Sequence, residues 1–146
     1  MRSVLLTLCI ALLTLGASAQ WAVPSDDVPA YHAQPPVAGE ALPPILTAPQ
    51  LQQAGLSLPW QVRVYAVAAR VPRVLYQLPC NCRCDRALGH SSLLSCFTGL
   101  HGGECSTCAQ EGVYAYKMTM LGKTPAQIRA GIAAHEYQTI DLNAAM

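Results

Sequence analysis

Three cysteines stand at alternate positions in L-P-C-N-C-R-C-D-R-A-L-G-H, residues 78–90, directly behind Pro79 and with the last of them six residues before His90. Cys105 and Cys108 close a C-x-x-C, and Cys96 falls between the two groups. Thiols this dense support two chemistries, both of which act through the thiolate. The leading one is ligation of a soft metal ion: Cu(I), whose thiolate complexes accept low coordination numbers, or Zn(II), which closes a tetrahedron on four N or S donors. His90 and His101, each beside a cysteine, are the nearby nitrogen donors. The candidate ligands are therefore Cys80, Cys82, Cys84, Cys96, Cys105, Cys108, His90 and His101.

The second chemistry is thiol–disulfide exchange, with Cys105 as nucleophile and Cys108 as its resolving partner. A C-x-x-C of this kind usually belongs to a βαβ context, and no strands are evident here to make one. A third reading is structural: six cysteines form three disulfides that staple a small exported domain. Bridging Cys80 to Cys82 or Cys82 to Cys84 would be strained, so each of the three would need a partner among Cys96, Cys105 and Cys108. Covalent haem is not expected, because Ala109 rather than histidine follows Cys108.

The N-terminus sets the compartment. Residues 1–19 carry Arg2, an apolar run from Val4 to Leu15 and the small-x-small ending Ala17-Ser18-Ala19. That pattern predicts a secretory signal peptide, removed with Cys9 at about Ala19/Gln20, and an exported product, periplasmic or extracellular. The run is shorter than the roughly 20 residues a membrane span needs, so a soluble mature chain is expected. An oxidising compartment does not keep six thiols reduced unaided; a bound metal would protect them. The expected partner is a metal donor or acceptor protein or, for the second chemistry, a redox partner.

Loss of Arg2 leaves eight basic against eight acidic residues, which argues for neither nucleic acid nor an anionic membrane as a partner. Locally, Arg63, Arg70, Arg73, Arg83 and Arg86 fall between Trp60 and His90 with only Asp85 opposing them, a neighbourhood that favours thiolate, although the first three read better as a solvated face. Oligomeric state is not legible.

What positions the thiols is a short helical domain. Residues 20–59 hold eight of the eleven prolines and read as an extended or disordered tether. From about residue 60 to 140 the apolar period is helical, and a domain of roughly 80 residues has a marginal core that metal or disulfide staples usually support. Val64, Val67, Val71, Leu75 and Leu78 recur at spacings of three and four, with Arg63, Ala66, Arg70, Arg73 and Gln77 opposite. This predicts a helix to about Arg70 and a second started by Pro72; a strand over 62–67 is the alternative.

Ser91 or Ser92 would cap a helix carrying Leu93, Leu94, Phe97 and Leu100, stopped by His101-Gly102-Gly103. A longer helix is expected from about Glu104 to Leu121, ended by Gly122, with Cys105 and Cys108 on one face of its first turn. There Glu104 and Glu111 favour the N-terminal half electrostatically, and Glu111 is within reach of a thiol. Thr124-Pro125-Ala126-Gln127 opens a last helix that buries Ile128 and Ile132. The expected fold is all-α, four to five short helices.

The run P-C-N-C-R-C-D-R-A-L-G-H-S-S-L-L-S-C-F, followed by H-G-G-E-C-S-T-C-A-Q-E-G-V-Y-A-Y-K-M, resembles the PCYCGC-motif family, also called CYCXC, of small exported bacterial proteins, many of them lipoproteins. The resemblance runs from about Tyr65 to Ile132 and rests on six cysteines, Gly89-His90 and His101-Gly102 in order and spacing. Asn81 and Arg83 stand where the named pattern has tyrosine and glycine, and a lipidation cysteine is lacking. The resemblance implies export rather than a defined activity, and a family name that admits selenocysteine in some members leans towards redox chemistry.

Overall fold

The computed structural model describes residues 27–144; the expected signal peptide, its expected cleavage point and Cys9 lie outside them. Eight helices and one 3₁₀ turn, with no strand among the described residues, make up the fold. In order they are α1 Ala48–Gln53, α2 Pro59–Ala68, α3 Pro72–Leu75, α4 Cys84–Leu88, α5 Leu93–Thr98, α6 His101–Glu104, α7 Ser106–Met120, α8 Pro125–Ala133 and the 3₁₀ turn Glu136–Thr139. The protein is all-α, as its periodicity implied. Its helices outnumber the expected four to five because α3, α4 and α6 are single turns and α1 forms within the proline-rich segment.

Local chemistry accounts for the boundaries. Proline stands in the first turn of α1, α2, α3 and α8, where its missing N–H is no loss. Thr124 and Gln127 complete a capping box, Thr124 N–H donating to Gln127 Oε1 at 2.9 Å. Gly122, at φ +76°, follows the end of α7 in the left-handed region that glycine enters freely. Residues 62–67 are helical, so the strand alternative fails: Val64, Tyr65 and Ala68 share a buried stripe of α2.

The central helix is α7, which packs against α2, α3, α5, α6, α8 and the 3₁₀ turn. Around it are buried Val64, Leu75, Leu78, Leu93, Phe97, Val113, Ile128 and Ile132. Leu51 of α1 and Leu56 join the same core, so the last third of the proline-rich segment packs on the domain. Val67 and Leu100 are half-buried, and Gln77, expected outward, is buried with its amide donating to the Arg73 carbonyl at 3.0 Å.

Two glycines let this core close. A Cβ on Gly102 would lie 2.6 Å from Phe97 Cδ1, and one on Gly112 would lie 2.5 Å from Phe97 Cζ. The Phe97 ring therefore sits between the backbones of α6 and α7. His101-Gly102-Gly103, expected to end a helix, instead forms the separate turn α6: α5 stops at Thr98, and small residues admit α6 against Phe97.

Candidate metal centre

A turn tied down at both ends delivers the first three thiols. Leu93 N–H donates to the Leu78 carbonyl at 2.8 Å, and Arg83 N–H reaches back to the Cys80 carbonyl at 3.3 Å. Between them, Asn81 N–H donates to Glu111 Oε1 at 3.0 Å and its side-chain amide donates to the Ile132 carbonyl at 2.9 Å. Arg83 closes the turn at φ +61°, a left-handed conformation that costs a non-glycine residue about 1–2 kcal/mol. Glycine is the residue such a turn favours, and the named motif has glycine at this position.

Five sulfurs converge. Cys80 Sγ lies 3.2 Å from Cys108 Sγ and 3.3 Å from Cys82 Sγ. Cys82 Sγ is 3.4 Å from Cys108 Sγ, and Cys84 Sγ is 3.5 Å from Cys96 Sγ. His101 Nε2 approaches Cys82 Sγ at 3.6 Å, and His90 Nδ1 approaches Cys96 Sγ at 3.4 Å. Two sets of four donors each have all their ligand atoms within 4.8 Å of one another: Cys80, Cys84, Cys96 and Cys108, and Cys82, Cys84, His101 and Cys108. Every member of the first set is at most 3 % exposed, whereas Cys82 and His101 of the second are half-buried.

Cys105 belongs to neither set. Expected within the first turn of the long helix, Cys105 is instead the N-cap of α7 with extended backbone, φ −112° and ψ 115°. The turn α6 takes up residues 101–104, so α7 begins at Ser106 and Cys105 is left at the junction. The thiol neighbours of Cys108 are Cys80 and Cys82, brought in from the turn. Among the described residues, all six cysteines are free thiols.

The electrostatics follow from this crowding. Contacts with Cys108 and Cys80, helped by His101, bring Cys82 down to about 6. Cys84 is held below the usual thiol range, chiefly by Cys108 and Cys80, while Cys80 is pushed up, chiefly by Cys108. Protons are thus shared, with the Cys80 thiol donating to Cys82 Sγ. Five thiolates this close cannot all ionise beside one another without a cation among them.

Arginine does not supply that charge. Arg83 pairs with Asp27 at 3.2 Å and Asp85 at 3.5 Å, Arg86 pairs with Asp27 at 2.9 Å, and Arg73 donates to the Pro36 carbonyl at 2.7 Å. The local positive balance seen in the sequence is answered by these partners rather than by sulfur.

Glu111, one turn along α7 from Cys108, is fully buried beside Cys80. Burial pushes its carboxyl up to about 8, and Oε2 has no hydrogen-bond partner. The sequence placed Glu111 within reach of a thiol but not inside the core; its spacing of three from Cys108 is the signal for that face. Met118 packs on the core, whereas Met120 is exposed. His135 is exposed and away from the thiols, with Nδ1 3.2 Å from the Tyr137 hydroxyl.

A family model described as protein of unknown function with PCYCGC motif matches residues 57–140. The chain belongs to that family. The PCYCGC match begins just before α2, ends just after the 3₁₀ turn and so includes all five converging cysteines and both histidines. No curated protein and no solved structure matches the chain. Among the described residues, no helix of this PCYCGC protein is long and apolar enough to cross a membrane.

Proposed function

We propose that the domain binds a soft metal ion, Cu(I) or Zn(II), through the clustered thiolates of Cys80, Cys84, Cys96 and Cys108, and acts as an exported metal carrier or buffer. The observation that carries this reading is that four sulfurs from three chain segments lie within 4.8 Å of one another in the core. A metal about 2.3 Å from each of four sulfurs sets them about 3.8 Å apart in a tetrahedron. The closest contacts of 3.2–3.5 Å and the 4.8 Å limit bracket that value, so small rotations of the side chains seat the ion.

Sulfur-rich surroundings favour Cu(I) among the soft metals, because thiolate ligands select it by softness. Binding replaces thiol protons with metal, so each thiol ligand gives up its proton on loading. Cargo then passes to or from a partner able to offer competing thiolates.

Elemental analysis and thiol titration of the anaerobically purified full chain test this. Bound metal with thiols protected from alkylation until a chelator is added is the expected result; a metal-free chain that takes up neither ion overturns it.

One observation favours a second reading. Cys80 and Cys108 Sγ are 3.2 Å apart, close enough to join as a disulfide while a partner's disulfide is reduced to two thiols. That reading predicts a metal-free protein whose Cys80–Cys108 pair, rather than Cys105 with Cys108, cycles at a defined reduction potential.

A further inference from the structure

The two donor sets overlap in space. They share Cys84 and Cys108, while Cys80 and Cys96 complete one and Cys82 and His101 complete the other. A single ion in the first set would leave Cys82 as a thiol 3.3 Å from Cys80 Sγ and 3.4 Å from Cys108 Sγ, with the His101 ring directed at it from 3.6 Å. Those two donors would face the centre and hold nothing.

We propose that the centre is dinuclear: two soft metal ions bridged by the thiolates of Cys84 and Cys108, with Cys80 and Cys96 terminal on the inner ion and Cys82 and His101 terminal on the outer one. The inference rests on the metal-binding reading above and adds its stoichiometry and its bridging ligands.

Three features support it. Thiolate sulfur retains lone pairs after binding one metal and can bridge to a second. Charge also permits it: four thiolates around one divalent ion, with Cys82 left as a thiol, carry a net charge of minus two, and five thiolates around two divalent ions carry minus one, while with monovalent ions the net charge is minus three in either case. Burial of that much charge without compensation is unfavourable. The third feature is graded access, since Cys80, Cys84, Cys96 and Cys108 are buried while Cys82 and His101 are half-buried. The inner ion is thus held away from solvent, and the outer position is the one from which metal exchanges.

His90 supports the inner side without belonging to either set. Its Nδ1 lies 3.4 Å from Cys96 Sγ, and its ring meets that of His101 edge-on, centroids 5.7 Å apart. The two imidazoles flank the sulfur cluster, one towards each ion.

The test is anaerobic titration of the full chain with Cu(I), and separately with Zn(II), against a competing chelator, with X-ray absorption on the loaded protein. Two ions per chain are expected, with a metal–metal scattering shell. Cys82→Ser and His101→Ala, separately and together, remove only outer ligands and are expected to reduce the stoichiometry to one ion with the helical circular-dichroism signal unchanged. One ion in the unaltered chain overturns the dinuclear centre and leaves the metal-binding reading intact. Two ions in both the unaltered chain and the double variant place the second ion elsewhere and also overturn it. No bound ion removes the underlying reading as well. Should the double variant fail to fold, His101→Ala alone, at a half-buried position, decides: retention of two ions without weakening of the second overturns the assignment of His101.

Discussion

Cys80 and Cys108 lie 28 residues apart in the chain and bring their sulfur atoms to 3.2 Å, one from a turn behind Pro79 and the other from the first turn of the central helix. That contact makes the thiol cluster a product of tertiary folding rather than of a contiguous motif. Both residues are buried and together form one wall of the sulfur cluster. Removing Cys108 takes a donor from both four-ligand sets, whereas Cys105 takes part in neither.

The two members of the C-x-x-C should therefore separate under mutation. Cys108→Ser is expected to weaken Cu(I) or Zn(II) binding by at least about 100-fold, since even partners behind a ligand contribute about 10–100-fold. Cys105→Ser should change affinity by less than threefold, roughly 0.6 kcal/mol. Chelator competition measures both; equal losses would point to a Cys105–Cys108 functional pair instead.

Glu111 gives the metal-free reduced chain a pH signature. Its carboxyl rises from an ordinary 4.5 to about 8 in the folded state because it is buried. The folded form therefore holds the proton that the unfolded form has released between those values. Stability from this group is complete below pH 4.5 and is lost as pH rises to about 8, at up to about 1.4 kcal/mol per pH unit. Glu111→Gln keeps an acceptor for Asn81 N–H and cannot ionise, so its urea-denaturation stability should overtake that of the unaltered chain with rising pH, by a few kcal/mol at pH 8. Parallel pH profiles would show that burial of Glu111 is not costly.

Arg83 tests the turn. At φ +61°, a β-branched side chain is strained, so Arg83→Val should lower stability by about 1–3 kcal/mol and weaken metal binding with it. Arg83→Gly relieves the left-handed strain but loses the contacts with Asp27 and Asp85, and should stay within about 1 kcal/mol of the unaltered chain. Thermal unfolding at matched pH ranks them; Val equal to Gly would contradict the conformation.

Phe97 and Gly112 test the core behind the sulfurs. A methyl on Gly112 meets the Phe97 ring at 2.5 Å, and overpacking of this kind costs about 1–3 kcal/mol. The same Gly112→Ala change in a Phe97→Leu background should cost less, because the ring carbon it meets is gone. A double-mutant cycle by urea denaturation reads the coupling; additive effects would mean that the ring does not fill that gap.

Much of this molecule was legible in local signals. Pro72, Gly122 and the Thr124–Gln127 box gave helix boundaries because each acts on its own backbone. Thr47 and Gln50 form the same box in front of α1, yet the proline density around them reads as a tether; only the burial of Leu51 and Leu56 reveals that this segment packs. The convergence of Cys80, Cys82, Cys84, Cys96 and Cys108 was inferable from thiol density, but not the exclusion of Cys105. The separate turn at His101–Glu104 makes Cys105 the N-cap of α7 rather than a residue within it. Gly102 reads as part of a helix stop until Phe97 is found between it and Gly112. Glu111 resembles any helix-surface acid until its neighbours are known.

The central claim is that sulfur is what holds the cargo. X-ray absorption at the metal edge of the anaerobically loaded full chain measures it most directly. A first shell dominated by sulfur, at about 2.3 Å for Zn(II), is the predicted spectrum. A shell of oxygen and nitrogen only, or loss of the metal on exchange into chelator-free buffer, would contradict it.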